Sequence, residues 1–306
     1  MNLLGARPAR FRRERVLIVG CGDVGQRAAR ELGGGQRVKL LALTSSPERR
    51  AELRVQGITP LTGNLDQPHT LQRLAGLATR VLHLAPPPSG ELKDWRLDPR
   101  TRALARVLAR RSPPVALAYG STSGVYGDCA GRWVDEATPL QPLTPRAWRR
   151  VDAEAAVHHL GRAIGVRTSV LRIPGIYAPD RAGGTPRERL QRGTPVLRPE
   201  DDVYTNHIHA DDLARACVLA LWRGRPQRAL NVTDDTELKM GDYFDLAADL
   251  YGLPRPPRIA RDAAGDQLPL VLLSFMSESR RLHNRRMKDE LRLALRYPTV
   301  SEGLRG

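Results

Sequence analysis

Arg15-Val-Leu-Ile-Val-Gly-Cys-Gly-Asp-Val-Gly25 is the stretch that decides the fold of this sequence. Its first half is an apolar run of the kind that forms a buried strand, and residues 26–32 continue with good helix formers. The glycines therefore stand at a strand-to-helix turn, with the spacing G-x-G-x-x-G.

Each glycine of this turn has its own physical role. Gly20 permits a tight turn, Gly22 lets the backbone approach a diphosphate without a side chain in the way, and Gly25 allows the helix to pack closely on the strand. The N-terminus of the helix attracts phosphate groups. We therefore expect a dinucleotide-binding turn with contacts from Gly20, Gly22, Asp23, Val24 and Gly25. The alternative is a plain glycine-rich turn.

Beyond this turn, strand-like runs alternate with helical patterns at 38–43, 58–61, 81–85, 115–119 and 168–172. Parallel neighbours need crossover helices, so the alternation predicts an α/β fold of the Rossmann type with a doubly wound parallel sheet. Gly and Pro interrupt the elements after residue 174, which indicates a small discontinuous C-terminal substrate lobe. The predicted organisation is a flexible basic arm at 1–14, an NAD(P)-binding Rossmann domain at 15–173 to which 210–235 return, and a substrate-side lobe made of 174–209 and 236–306.

The net charge of +16 comes mostly from 45 arginines, which are scattered through every segment. A nucleic-acid groove needs a concentrated basic face with aromatic side chains, and only 5% of the residues are aromatic, so we expect no nucleic-acid partner. No apolar run approaches the roughly 18 residues of a membrane span, and the start lacks the apolar segment of a signal peptide. We expect a cytoplasmic protein with no membrane partner.

The three cysteines are far apart and predict neither a disulfide nor a metal site.

The ends of the later strands suggest where the cofactor lies. An acidic residue usually follows the second strand of an NAD site, but here Thr44 and Ser45 occupy that position and Arg49 follows, which favours NADP over NAD. A simpler account is that Ser46 and Pro47 begin a helix. The turns after the third and fourth strands should face the adenine side of the cofactor or be ordinary turns, and they contain Asn64, Leu65, Leu84, Ala85 and Pro86.

The fifth strand ends in Gly-Ser-Thr-Ser-Gly-Val-Tyr-Gly at residues 120–127. With this run, and with those at 171–177 and 207–214, the chain resembles the extended short-chain dehydrogenase/reductase family. The run at 295–299 is similar to the tail of its atypical members, the NAD-dependent epimerases/dehydratases. The resemblance covers nearly the whole chain.

The resemblance implies an active-site Ser/Thr, which maps onto Thr122, and a Tyr-x-x-x-Lys pair on the next helix. Arg146 and Arg150 occupy the Tyr and Lys positions, and none of the seven tyrosines has a Lys four residues later. An arginine, with a pKa above about 12, cannot act as a base at neutral pH. Arg150 could instead hold a ribose or a substrate anion, or both arginines could lie on a solvated helix face.

Three other side chains could supply a proton. Tyr126 lies on the same loop as Thr122, although a packed ring at the end of a strand is the simpler account of it. His207 and His209 have side chains that titrate near neutrality. Their segment also reads as a strand that passes into a helix capped by Asp.

Two functions remain open on the sequence alone. The first is an NAD(P)-dependent oxidoreductase, epimerase or dehydratase that acts on a small polar, nucleotide-sugar-like substrate, with hydride transfer to or from a nicotinamide beside Thr122. The second is a catalytically impaired sensor or accessory module that binds NAD(P)H. A homodimer is a possible assembly for either function.

Overall fold

The computed structural model describes residues 14–33, 38–90, 93–268, 272–273 and 276–305. The predicted basic arm lies outside the described residues except for Glu14, which begins the first strand. The strands are β1 Glu14–Val19, β2 Val38–Thr44, β3 Thr59–Thr62, β4 Arg80–His83, β5 Ala116–Thr122, β6 Trp133–Val134, β7 Arg167–Ile173, β8 Gly175–Tyr177, β9 Val196–Leu197, β10 Tyr204–Thr205, β11 His207–His209, β12 Arg228–Asn231, β13 Leu238–Lys239, β14 Arg258–Ile259 and β15 Arg281–Leu282.

The described α-helices are α1 Asp23–Gly33, α2 Arg49–Val55, α3 Pro99–Leu108, α4 Pro145–Ile164, α5 Arg187–Gln191, α6 Ala210–Arg223, α7 Met240–Tyr251, α8 Arg261–Gln267, α9 Arg285–Leu291 and α10 Val300–Arg305. Two 3₁₀-helices span Pro68–Leu74 and Ser123–Tyr126. In the part of the chain that the structure describes, no helix has both the length and the apolar character that a membrane crossing requires.

A seven-stranded sheet organises the fold, with the order β12-β7-β5-β4-β1-β2-β3. The apolar residues of β1 are fully buried, as expected for a central strand that is covered on both faces. The chain runs from β1 to β2 and β3 in one direction and resumes at β4 on the other side of β1. This reversal confirms the doubly wound parallel α/β fold, and it places a crevice at the carboxyl ends of β1 and β4.

Two helix starts differ from the sequence prediction. The helix expected to open at Ser46 begins instead at Arg49, because Pro47 and Glu48 first form a turn. In this turn the carbonyl oxygens of Ser46 and Pro47 accept hydrogen bonds from the amides three residues further along the chain. The apolar pattern of residues 71–77 also predicts a helix, and the structure has a 3₁₀-helix there that starts earlier, at Pro68. Its end precedes Gly76, which has a φ of +72°.

The chain divides into two compact units. The first comprises the residues up to Gly120, together with Asp152–Val170 and Cys217–Arg228. The second comprises Ser121–Val151, Leu171–Ala216 and the chain from Ala229 onward. The sequence pattern assigns residues 121–151 to the Rossmann domain instead. The predicted domain boundaries therefore stay a prediction.

Asp212 joins the tail of the chain to α6 within the second unit. Its carboxylate is fully buried and accepts hydrogen bonds from the backbone amides of Arg296 and Tyr297, at 2.8 to 2.9 Å, and from Arg215 Nη1. The sequence suggested a helix cap for an Asp of this segment. Asp212 instead satisfies amides of a distant segment, because the tail returns to the start of α6.

The core of the second unit contains two titratable side chains whose pKa values are shifted by their surroundings. Asp234 and His207 are buried near Tyr177 and Tyr243. Burial raises the pKa of Asp234 to about 8, and burial together with the charge of Arg189 lowers the pKa of His207 to about 4. At neutral pH both side chains are therefore mostly uncharged.

We expect Asp234→Asn to flatten the dependence of stability on pH. Above about pH 4 native Asp234 holds a proton that the unfolded chain has released, so its contribution to stability falls as pH rises to about 8. His207 acts in the opposite direction below about pH 6.5, since only the unfolded chain is protonated there. Between pH 6.5 and 8 the parent protein should lose up to about 2 kcal/mol of unfolding free energy that the variant retains.

Urea unfolding at several pH values across this range measures the difference. Asp289→Asn is the matched control, because Asp289 is exposed in an i,i+4 pair with Arg285. Equal slopes for the parent protein and Asp234→Asn would contradict the prediction.

Candidate functional site

Gly20 ends β1 and turns the chain toward α1. Its φ is +89°, and a β-carbon there would lie 2.3 Å from the backbone nitrogen of Ala85. The amides of Leu84 and Ala85 both donate to the carbonyl oxygen of Val19, at 2.7 and 3.0 Å. The turn after β4 is therefore held against the glycine-rich turn.

Gly22 and Gly25 have opposite surroundings. Nothing lies within 4 Å of a β-carbon placed on Gly22, whereas one on Gly25 would lie 2.9 Å from the carbonyl oxygen of Gly20. Gly22 thus leaves open space directly before α1, whose first residues are Asp23 and Val24. Gly25 allows that helix to pack on β1. A close turn, an open approach and a helix N-terminus fit a dinucleotide diphosphate.

Arg49 reaches from the start of α2 to this turn. Its Nη2 donates to the carbonyl oxygen of Cys21 at 2.7 Å, and its Nε lies 3.5 Å from a carboxylate oxygen of Glu52. Burial raises the pKa of the Cys21 thiol to about 11, so the thiol stays protonated and unreactive at neutral pH. The guanidinium of Arg49 therefore lies next to the glycine-rich turn.

Hydroxyl groups lie at the end of β2, and a second arginine follows at the start of α2. Ser45 is exposed, and the buried Thr44 Oγ1 accepts the amide of Ser46 at 3.1 Å. Arg50 Nε is buried and has no hydrogen-bond partner among the described residues. The end of β2 therefore carries two hydroxyl groups, and Arg50 follows in α2.

Arg100, at the start of α3, connects the turns after β3 and β4. It donates to both carboxylate oxygens of Asp66, at 2.7 and 2.6 Å, and to the carbonyl oxygen of Pro86 at 3.1 Å. These bonds lower the pKa of Asp66. The amide of Asp66 in turn donates to Asn64 Oδ1 at 2.9 Å, which fixes the turn that contains Asn64 and Leu65. All the residues predicted to bind the cofactor belong to the first unit.

The residues predicted to carry the chemistry belong to the second unit. Thr122 Oγ1 accepts the amide of Gly124 at 3.2 Å and caps the 3₁₀-helix Ser123–Tyr126. Because a hydroxyl also carries a donor, Thr122 can still donate to a second partner.

Tyr126 is buried in a polar network. Its hydroxyl donates to Asn231 Oδ1 at 2.8 Å and accepts a bond from Arg172 Nη1 at 2.9 Å. The backbone amide of Asn231 donates to Glu136 Oε1 at 2.8 Å. Only 1% of Tyr126 is exposed. Of the two roles considered for Tyr126, the geometry favours a packed ring over a proton donor.

Arg146 and Arg150 lie one turn apart near the start of α4, with Thr144 Oγ1 accepting the amide of Ala147 at 3.2 Å. Arg150 is only 6% exposed, so it does not lie on a solvated face, whereas Arg146 is exposed. Partial burial and the charge of Arg150 lower the pKa of Arg146. The helix N-terminus adds further positive potential.

His207 and His209 pack into an aromatic cluster along β11. The ring of His207 lies 4.2 Å from that of Tyr243, and the ring of His209 lies 3.8 Å from that of Tyr297. His209 Nδ1 accepts the amide of Asp211 at 3.2 Å. Both histidines are buried, and the low pKa of His207 keeps it neutral, so these residues serve the core of the unit.

Sequence reasoning missed Glu278. Its Oε2 lies 3.9 Å from the position of a β-carbon on Gly124, and the same point is 3.6 Å from Thr122 Oγ1. Glu278 is about as buried as its ion-pair partner Arg280, whose Nη1 is 2.7 Å away. No pattern marks this side chain, because it lies in an arginine-rich tail, far along the sequence from the loop that it approaches.

The doubly wound sheet, the open glycine-rich turn and the loop at Thr122 define a dinucleotide-binding protein of the extended short-chain dehydrogenase/reductase type. The pattern of the NAD dependent epimerase/dehydratase family matches residues 16–233, and the chain belongs to that family.

Several known proteins are similar to this chain. A functionally unknown conserved protein of Silicibacter pomeroyi is 30% identical, with a TM-score of 0.77 over 95% of this chain and 97% of that one. The UDP-glucose 4-epimerase of Thermotoga maritima, solved with UDP-glucose, has a TM-score of 0.78 at 16% identity, covering 95% and 96% of the two chains. The UDP-glucuronic acid 4-epimerase of Bacillus cereus, solved with NAD, has a TM-score of 0.74 at 16% identity, again over 95% and 96%.

A curated protein of Methanocaldococcus jannaschii, named "Putative UDP-glucose 4-epimerase", is 23% identical over 140 residues. The match covers 42% of this chain and 45% of that protein, so the chain spans under half the length of this curated relative.

We expect Tyr126→Phe to lower stability. Loss of the hydroxyl leaves Arg172 and Asn231 each one hydrogen bond short inside the unit, which should cost about 1–3 kcal/mol of unfolding free energy in a denaturant titration. Tyr251→Phe is the control, since Tyr251 is only partly buried. A Tyr126→Phe variant as stable as the control would mean that the hydroxyl is not held in this network.

Proposed function

We propose that the protein is an NAD(P)-dependent epimerase, dehydratase or oxidoreductase that acts on a small polar, nucleotide-sugar-like substrate. The observation that carries the proposal is the glycine-rich turn, where Gly20 is in close contact with Ala85 and Gly22 opens onto empty space. The family supports a nicotinamide dinucleotide, and the Thermotoga and Bacillus proteins, solved with UDP-glucose and with NAD, support the substrate class and the cofactor.

NADP is the preferred form of the cofactor in this proposal. Arg49 and Arg50, the first residues of α2, supply two guanidiniums, and Nη2 of Arg49 reaches the glycine-rich turn. A 2′-phosphate needs such donors, whereas a 2′-hydroxyl is usually bound by a carboxylate. Thr44 and Ser45 add hydroxyl groups at the end of β2.

The second candidate function is a catalytically impaired NAD(P)H sensor or accessory module. It is favoured by Arg146 and Arg150 in place of the Tyr-x-x-x-Lys pair and by the engagement of the Tyr126 hydroxyl. In the enzymatic proposal Thr122 binds the reacting group and Arg150 holds an anionic part of the substrate or cofactor.

We further propose a cytoplasmic location, which suits the buried free thiols of Cys21, Cys129 and Cys217. A homodimer stays a prediction that light scattering can test.

We expect the purified protein to bind NADPH more tightly than NADH in equilibrium fluorescence titrations. Arg49→Ala should weaken NADPH binding by about 10-fold or more, because a charge-assisted hydrogen bond is lost, and should change NADH binding little. Gly22→Asp should abolish binding of both, since its side chain fills the open space with negative charge.

Arg54→Ala is the matched control, because Arg54 lies on the same helix and is exposed. Equal affinities for the two nucleotides would contradict the NADP preference, and binding of neither would contradict both functions. Product analysis after incubation with a panel of nucleotide sugars then separates the enzyme from the sensor, because only the enzyme converts a substrate.

A further inference from the structure

Glu52 brings a carboxylate to the glycine-rich turn, although the sequence places no acid at the end of β2. Glu52 lies in the first turn of α2, and its Oε2 is 3.5 Å from Arg49 Nε. Arg49 Nη2 in turn donates to the carbonyl oxygen of Cys21 at 2.7 Å, within the glycine-rich turn. A carboxylate and a guanidinium therefore lie next to each other beside this turn.

The other carboxylate oxygen of Glu52 is held by side chains of α1 and α2. Gln26 Nε2, in α1, donates to Glu52 Oε1 at 2.7 Å, and Gln56 Nε2 donates to the same oxygen at 3.5 Å. Gln56 Nε2 also donates to Gln26 Oε1 at 3.4 Å. These bonds and the contact with Arg49 fix the direction of the carboxylate, so little side-chain entropy is lost when it meets a ligand.

The charges of Glu52 and Arg49 both act on the turn itself. Burial raises the pKa of the Cys21 thiol to about 11, and the charge of Arg49 lowers this pKa while that of Glu52 raises it. Both side chains are also accessible, since 34% of Arg49 and 45% of Glu52 are exposed. A ligand bound at the turn can therefore meet either charge.

Both residues follow β2, where a Rossmann fold distinguishes NAD from NADP. In such folds an acid binds the 2′-hydroxyl of the adenosine ribose, or an arginine accommodates the 2′-phosphate. The first turn of α2 contains one residue of each kind, in contact with each other. Directly after Cys21, the β-carbon position of Gly22 is surrounded by open space, so a dinucleotide can approach the backbone there.

We propose that Glu52 is a specificity-determining residue that opposes Arg49 in the choice between NAD and NADP. The proposal rests on the proposed function, because it concerns the cofactor of the same turn. An ionised carboxylate has only acceptors, so it favours the donating ribose hydroxyls of NAD and repels the 2′-phosphate of NADP. Arg49 has the opposite effect, so the pair makes the preference for NADP smaller than Arg49 alone would make it.

Equilibrium fluorescence titrations with NADH and NADPH measure the preference as the ratio of the two dissociation constants. Glu52→Gln keeps the shape of the side chain and an oxygen that can accept from Gln26, but it removes the charge. It should tighten NADPH binding and weaken NADH binding, which together change the ratio by about 10-fold or more in favour of NADPH. Arg49→Ala should change the ratio in the opposite direction.

The direction of the change distinguishes a role in specificity from a structural one. If Glu52 served only to hold Arg49 in place, Glu52→Gln would weaken NADPH binding as Arg49→Ala does, and the inference would be wrong. Added salt gives a second measure, because it screens charges near the surface. The gain in NADPH affinity of Glu52→Gln over the parent protein should therefore shrink as the ionic strength rises.

Glu48→Gln is the matched control, because Glu48 is an exposed acid directly before α2 whose side chain forms no cap bond. Its ratio should stay within about 2-fold of the parent's, as expected for an exposed charge. An unchanged ratio in Glu52→Gln, with both nucleotides bound, would overturn the inference and leave the proposed function intact. So would loss of both nucleotides in Glu52→Gln, which indicates a structural role. A parent protein that binds neither nucleotide would contradict the proposed function, and the inference with it.

Discussion

The close approach of two backbones at Gly20 is the constraint on which the first unit depends. The turn after β4 comes so near that a β-carbon on Gly20 would overlap Ala85, and the carbonyl of Val19 accepts two amides of that turn. This contact holds the carboxyl ends of β1 and β4 together, and α1 starts beside them. Two residues further on, the β-carbon position of Gly22 is surrounded by open space. A dinucleotide site therefore follows from backbone packing, before any side chain contributes specificity.

In the second unit, buried polar groups have the corresponding role. Arg172, Tyr126, Asn231 and Glu136 form a continuous set of hydrogen bonds that joins the loop after β5 to β7 and β12. Such a network is stable only when its members are satisfied together, since a buried donor or acceptor without a partner costs more than a hydrogen bond gains. The loop after β5 is held by this network at Tyr126 and by hydrogen bonds of Ser279 to residues 128, 129 and 131. Its geometry is thus set by residues that are far apart in the sequence.

The sequence predicted the features that depend on local order. A buried apolar strand, three glycines at fixed spacing and alternating elements specify the sheet and the turn, because each is decided within about ten residues. It did not predict the position of Glu278 or the bonds of the Tyr126 hydroxyl, since these arise when segments 46 to 151 residues apart meet. The start of α2 was placed wrongly for another reason. Ser46 and Pro47 are good residues for a helix start, but Thr44 already holds the amide of Ser46 in a tight turn.

The replacement of the Tyr-x-x-x-Lys pair by two arginines changes what the site can do. A guanidinium stays charged at neutral pH and cannot exchange the proton that a tyrosine–lysine pair exchanges. It can bind an anion, and the buried Arg150, beside Arg146 and a helix N-terminus, has that character. Proton transfer, if it occurs, must then use a group that the family pattern does not mark. The hydroxyl of Tyr126 is engaged, and His207 and His209 are packed among rings.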